Sequence, residues 1–265
     1  MSDGTPQHRA NPSALRAVAL LPARLGSTRL PRKMLLAETG SPLFVHAAKN
    51  AARCADLARV VVATDSAEIE SAGRASGVDV IMTDPAHPSG TDRVHEAYRG
   101  LGEDFDVVLN VQGDEPDVEP EDLSRLVAAF ADADVEVATL AGKCETEEEI
   151  ADASVVKVVR DGAGDALYFS RSALPSRSHA RENAGDTSAS AVLRHIGVYA
   201  FRPPALARFC ALPVGRLEQL ESLEQLRWLE AGERMRVVSA GHVPRGIDTR
   251  KDYEEFVARR GASCT

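Results

Sequence analysis

The chain has 265 residues, 27% charged and 44% hydrophobic, with a formal net charge of −9 at neutral pH. At about 100–200 residues per domain, this length holds one large α/β domain or two small ones. The acidic balance argues against general nucleic-acid or membrane-surface binding. Cys54, Cys144, Cys210 and Cys264 lie far apart with no CxxC pair. That spacing suits neither a zinc site nor a disulfide framework, and reduced thiols in a cytoplasm are the simplest reading. Residues 1–16 lack an apolar core of signal-peptide length and read as a disordered tail. No run of ~18 apolar residues is present to insert in a membrane.

Ala17–Leu21 (AVALL) reads as a buried parallel strand. It runs into PARLGSTRLPRKML, Pro22 to Leu35, where Arg24, Arg29, Arg32 and Lys33 surround Gly26, Ser27 and Thr28. Clustered cations beside small residues that expose backbone N–H groups suit a polyanion such as a nucleoside triphosphate. Its place at the end of a buried strand favours a phosphate site over a solvated basic loop. Pro42–Ala55 has helical periodicity, Arg59–Thr64 reads as a second buried strand, and Asp65–Ser66 caps a helix ending near Gly77. Val78–Met82 is a short strand, Thr91–Leu101 a helix, and Asp106–Val111 a fourth strand. A helix opens at Glu119–Asp122 with acids in its first turn, and Val135–Leu140 is a further strand. Repeated βα units with apolar strands imply a parallel sheet covered on both faces.

The second half differs. Val155–Arg160 and Ala166–Ser170 flank the turn Asp161–Gly164 and read as a β-hairpin. Ser176–Ala191 is a long polar loop. His195–Phe201 is a strand, Leu217–Leu229 one continuous helix, Met235–Ala240 a strand and Arg250–Arg259 a final helix. The predicted organisation is a single domain over 17–265, with a nucleotide half at about 17–140 and an acceptor half at about 141–265.

Several positions can carry chemistry. LNVQGDEP places Asp114 just past a buried strand, where it can hold a hard cation such as Mg²⁺, or can simply cap the next helix. Gln112 offers a donor and an acceptor to a base or sugar hydroxyl. Asp248, in GIDT, can return to the same cation, although capping the helix from Arg250 is the commoner role for such a residue. SGTDR, Ser89–Arg93, is a small anion or base-edge turn at a helix N-terminus. On the helix predicted over Leu217–Leu229, Glu224 shares a face with Leu217 and Leu220, where a carboxylate needs a partner. His195 and Tyr199 share a strand face by period two, and a lone strand histidine is more often structural than functional.

In this order, PARLGSTRLPRKML, VVATD, HPSGTDR, NVQGDEP, VVKVV, ALYFSR, LRHIGVYAF, LEQLESLEQLRWLEAG and GIDT resemble the 3-deoxy-manno-octulosonate (Kdo) cytidylyltransferase, or CMP-Kdo synthetase, family from about Ala17 to Phe256. The resemblance implies a Rossmann-like nucleotide-diphospho-sugar transferase fold, α/β with a mostly parallel central sheet and a β-hairpin or mixed acceptor subdomain. It implies the reaction of CTP with Kdo to CMP-Kdo and pyrophosphate, for lipopolysaccharide biosynthesis in the cytoplasm. Carried over by position, Arg24 and Lys33 hold the phosphates. Ala23, Ser89, Gly90 and Arg93 line the cytidine side together with Gln112. Asp114 and Asp248 bind Mg²⁺, and Lys33, Asp114, Asp248 and Arg24 are the catalytic set. Gln112, Arg171, His195, Tyr199, Glu224 and Gln225 surround the acceptor sugar, and Arg171 is expected on its carboxylate. A homodimer is expected from the family, with the hairpin around Asp161–Gly164 at the contact. Neither nucleic acid nor membrane insertion is expected.

Overall fold

Strand β1 (Ala17–Ala23) is buried along its whole length, and this decides the architecture. A strand with apolar residues on both faces needs a layer above and a layer below it. In the computed structural model, which describes residues 15–27, 29–179 and 191–262, both layers are present. Ala17, Ala19 and Leu21 belong to one core cluster, while Val18 and Leu20 belong to another, as the two-residue period of a strand requires.

The elements follow in chain order: α1 (Leu43–Ala51), β2 (Leu57–Thr64), α2 (Ala67–Ala75), β3 (Asp79–Met82), α3 (Gly90–Leu101), β4 (Val107–Asn110), α4 (Pro120–Ala128), β5 (Val137–Lys143) and α5 (Glu147–Ala151). Then come β6 (Lys157–Arg160), β7 (Ala166–Ser170), β8 (Leu193–Phe201), α6 (Pro203–Ala211), α7 (Arg216–Glu221), α8 (Leu226–Glu230), β9 (Arg236–Ser239) and α9 (Arg250–Ala262). The sheet order is β3-β2-β1-β4-β8-β5-β9, and the β6–β7 hairpin joins through β8. Phe44, Ile69 and Leu123 of α1, α2 and α4 fill one face, while Val94, Phe209 and Trp228 of α3, α6 and α8 fill the other. Strand order turns about β1, whose neighbours β2 and β4 both run parallel to it. A crevice therefore opens beyond the carboxyl ends of β1 and β4, where such sheets bind ligands.

The predicted βα units of the first half are present with boundaries moved by a few residues. Strand β8 runs antiparallel between β4 and β5, within the mostly parallel sheet with a mixed second half that was expected. Two features differ from expectation. Two helices, α5 and α6, have no counterpart among the sequence-derived elements, although Pro203–Pro204 at the start of α6 is a helix-opening signal. Finally, the single helix expected over Leu217–Leu229 is two helices, broken at Ser222 with φ 53°. Leu220 is 71% exposed, so the face on which Glu224 was placed does not exist. The break is stabilised by tertiary contacts. The Glu221 carboxylate accepts from Ser170 Oγ at 2.6 Å and from the Arg171 backbone N–H at 3.0 Å. Across the break, Arg227 donates to both Glu218 oxygens at 2.5 and 2.7 Å. The reversal buries Leu223 and Leu226 and leaves Glu224 in a turn.

Among the described residues no helix is long and apolar enough to cross a membrane, and Cys54, Cys144 and Cys210 are free thiols. Cys264, most of the expected disordered tail and the centre of the polar loop (180–190) lie outside the described residues.

The left-handed conformation at Ser222 costs a non-glycine residue about 1–2 kcal/mol. Ser222→Gly is expected to keep or raise stability by up to about 1 kcal/mol, whereas Ser222→Val lowers it by a similar amount. Urea unfolding of the two variants checks the order.

Candidate active site

The crevice at the sheet's carboxyl edge is a cleft of about 320 Å³. Its floor begins where β1 ends. Gly113 packs there so closely that a Cβ would lie 3.2 Å from the Pro22 carbonyl oxygen, so any side chain would press the QGD turn away from the β1 edge by a few tenths of an ångström. Lys33 follows the basic loop in a short 3₁₀ turn and is 9% exposed. Its ammonium donates to the Asp114 carboxylate, to Asp248 Oδ1 at 3.1 Å and to the Ile247 carbonyl at 3.2 Å. Arg29 adds a second cation, with its guanidinium 2.9 Å from Asp248 Oδ1. The loops are also tied directly, because the Ile247 N–H donates to the Asp114 carbonyl at 3.2 Å. Burial works against the Lys33 charge, but Asp114 and Asp248 together overcome it and hold its pKa above the usual lysine value.

Asp248 is not the cap of α9. Thr249 caps that helix by accepting from the Asp252 N–H at 3.2 Å, and the Asp252 carboxylate accepts from the Thr249 N–H at 2.7 Å. This reciprocal box leaves the Asp248 side chain for the cleft. Nor does Asp114 cap α4, whose flanking residue is Glu119.

The expected nucleotide residues converge. Ala23, Arg24, Lys33 and Gln112 line the cleft, with Asp114 and Asp248 beside them. Ser89, Gly90 and Arg93 line it as well. Ser89 caps α3, accepting from the Asp92 N–H at 3.1 Å. Arg93 is 4% exposed and held by Thr83 Oγ1 at 2.5 Å and by Asp65 at 2.9 Å. Arg32 points elsewhere and pairs with Glu68 at 2.5 Å in solvent; Thr28 lies outside the described residues.

A second group gathers behind the α3 wall. The Glu224 carboxylate accepts from Thr91 Oγ1 at 2.6 Å, while Glu224 Oε1 and Gln225 Nε2 are buried without hydrogen-bond partners. His195 lies 2.9 Å from Thr139 Oγ1 and packs against Phe169 and Tyr199, with ring centroids at 5.0 and 5.4 Å. Burial pushes the His195 pKa down to about 3, so the ring is neutral and can donate and accept at once. Burial, then the Glu224 charge, raises the Tyr199 pKa and keeps its hydroxyl protonated. Arg171 is not brought to the cleft. Its guanidinium donates to the carbonyls of Glu221 at 2.8 Å, Ala153 at 3.0 Å and Ser222 at 3.4 Å, so it braces the turn that carries Glu224.

Four participants were not singled out from sequence. Arg29 was visible in the basic loop but had no assigned role. Thr91 and Asn110 lie inside SGTDR and LNVQGDEP without any distinguishing pattern. Glu115 stands beside Asp114 in LNVQGDEP. Its Oε2 is buried without a partner, and burial followed by repulsion from Asp114 raises its pKa to about 8.

The arrangement can do two things. Asp114 and Asp248 could hold a divalent cation in place of the Lys33 ammonium they share, since Mg²⁺ takes one or two carboxylates plus substrate phosphates. Arg24, Arg29 and Lys33 can meet a polyphosphate over the same floor.

Known proteins place the same features in context. Residues 18–235 match the cytidylyltransferase family. A 3-deoxy-manno-octulosonate cytidylyltransferase of Nitratidesulfovibrio vulgaris is 48% identical over 239 residues, covering 90% of this chain and 93% of that protein. One from Rhodopseudomonas palustris is 45% identical over 249 residues, covering 92% and 96%. Among solved structures, CMP:2-keto-3-deoxy-manno-octonic acid synthetase complexed with CTP aligns with a TM-score of 0.85 and 39% identity, over 94% of this chain and 99% of that one. The 4-diphosphocytidyl-2C-methyl-D-erythritol synthase of Anaerococcus prevotii shares the fold alone, with a TM-score of 0.61 and 12% identity over 93% and 99% of the two chains.

Glu115 gives the protein a pH signature. Its folded pKa of about 8 lies above the ordinary 4.5, so between these values the folded chain keeps a proton that the unfolded chain releases. Stability contributed by this group therefore falls as pH rises through that window. Glu115→Gln is expected to flatten the fall and to be the more stable form at pH 8, as read by urea unfolding in a chelator.

Proposed function

The chain belongs to the cytidylyltransferase family, and from that premise we propose that it is a 3-deoxy-manno-octulosonate cytidylyltransferase, joining CTP and Kdo to give CMP-Kdo and pyrophosphate. One observation carries the reading. A chain aligned over 94% of its length with a CTP-complexed CMP-Kdo synthetase gathers Lys33, Asp114 and Asp248 at the switch point of its sheet.

The anomeric 2-hydroxyl of Kdo attacks the α-phosphorus of CTP, the bond to the β-phosphate oxygen breaks, and pyrophosphate departs. Such a transfer needs positioning and charge neutralisation more than covalent chemistry. Asp114 and Asp248 hold Mg²⁺ in this proposal, which when bound would neutralise phosphate charge and lower the pKa of the attacking hydroxyl. Arg24 and Lys33 offset the charge that develops on pyrophosphate. Arg29, already paired with Asp248, adds to the same field. The wall of Ala23, Ser89, Gly90 and Arg93 takes the cytidine.

On the acceptor side, neutral His195 and protonated Tyr199 hydrogen-bond the sugar hydroxyls. Glu224 Oε1, which has no hydrogen bond but lies 3.9 Å from the Arg227 guanidinium, accepts from a hydroxyl, and Gln225 Nε2, also without a hydrogen bond, donates to one. Gln112 lies between the two substrates. Arg171 acts through the Glu221–Ser222 turn that its guanidinium braces. The reaction runs in the cytoplasm and feeds lipopolysaccharide synthesis. The chain acts as a homodimer, with the β6–β7 hairpin at the contact; Leu167 on β7 is 62% exposed there.

Pyrophosphate release from CTP with a panel of keto-acid sugars, omitting one component at a time, tests the assignment. Release is expected only with CTP, Kdo and Mg²⁺ together, and turnover of a different acid sugar in preference to Kdo would overturn the acceptor. Asp114→Asn is expected to lower kcat by about 10²–10³-fold, the loss usual for a transition-state charge contact. Separately, Leu167→Asp is expected to shift sedimentation from dimer to monomer at micromolar concentration.

A further inference from the structure

Beneath the cleft, four side chains form a hydrogen-bond chain with one direction. Gln112 Nε2 donates to Asn110 Oδ1 at 3.2 Å, Asn110 Nδ2 donates to Thr91 Oγ1 at 3.3 Å, and Thr91 Oγ1 donates to Glu224 Oε2 at 2.6 Å. The carboxylate end sets that direction, since an ionised carboxylate only accepts. The single hydroxyl proton of Thr91 goes to Glu224, so its lone pairs must meet the NH₂ of Asn110. Asn110 then turns its carbonyl to Gln112, and Gln112 gives its NH₂ to the chain. Its own carbonyl oxygen is left for the cleft that Gln112 lines. Flipping Gln112 would set acceptor against acceptor at Asn110, and flipping Asn110 would set donor against donor at Gln112 and acceptor against acceptor at Thr91.

The two interior members are sealed and rigidly mounted. Thr91 and Asn110 are each 1% exposed. Thr91 lies in the first turn of α3, and Asn110 ends β4, directly opposite Tyr199 of β8. Neither reaches the cleft wall, so neither touches substrate. Glu224 comes from the turn between α7 and α8, and Gln112 stands two residues before Asp114. The chain thus links the acceptor pocket to the phosphate end through side chains that can adopt only one arrangement while Glu224 is ionised.

We propose that Thr91 and Asn110 are positioning residues that lock the Glu224 carboxylate and the Gln112 amide into one donor–acceptor pattern for the acceptor sugar. This rests on Kdo being the acceptor at Glu224 and Gln112. Removing the Thr91 hydroxyl releases Glu224 Oε2 and lets both amides rotate, while the phosphate loop and cytidine wall stay intact.

The test separates KM from kcat in the full-length protein with Mg²⁺. Thr91→Val, nearly isosteric, is expected to raise the KM for Kdo about tenfold while the KM for CTP changes less than twofold. Thr91→Ser, which keeps the hydroxyl, should stay within twofold of the parent for both. Asn110→Ala should show the same selective rise. The double variant should match the larger single effect rather than their product, because both break one chain. An unaltered KM for Kdo in Thr91→Val, equal losses in Thr91→Ser and Thr91→Val, or a parallel rise in both KM values would overturn the positioning role. Should Thr91→Val fail to fold, the KM split of Asn110→Ala decides alone. A parent chain that releases no pyrophosphate with Kdo removes the acceptor reading and this role with it, whereas an active parent with an indifferent Thr91→Val removes the positioning role only.

Discussion

The Lys33 ammonium between Asp114 and Asp248 is the contact on which the site depends. Its partners stand 81 and 215 residues away in sequence, so it exists only when the ends of β1 and β4 and the segment before α9 are all in place. Two carboxylates brought together repel each other and favour protonation unless a cation meets them. Lys33 and Arg29 supply that cation charge within the protein itself. The cluster of two cations and two carboxylates is therefore balanced in charge.

Around this contact the sheet divides the work. The parallel strands β2, β1 and β4 present their carboxyl ends to one crevice, which collects the basic loop and the QGD turn. The antiparallel β8 enters beside β4 and lays Tyr199 against Asn110. Without that reversal, the His195–Tyr199 face would have no route to the nucleotide edge. The break at Ser222 completes the arrangement by turning Glu224 back toward Thr91.

Much of this was legible in the residues. β1 is apolar on both faces, so its burial and parallel pairing follow from composition, and the cation-rich loop after it points to a phosphate site. Asp248 shows the limit of such reading. Local pattern favours a helix cap at that position, yet Thr249 and Asp252 satisfy the helix and leave Asp248 to Lys33. The Leu217–Leu229 segment shows the opposite failure: its periodicity favours one helix, but Glu221 finds Ser170 and Arg171 in the hairpin and ends the first helix early.

Sequence by itself determined the βα organisation, the apolar faces of the central strands and which motifs carry charge, because these depend on residue types at short spacing. Tertiary structure alone decided the partner of each charge. It placed Arg29 on Asp248 and Arg171 on backbone carbonyls, buried Glu115 so that it holds a proton, and set the direction of the chain from Gln112 to Glu224. Coulombic and desolvation energies depend on distance and burial in space, and hydrogen-bond direction depends on the groups at each end, none of which is written in local order.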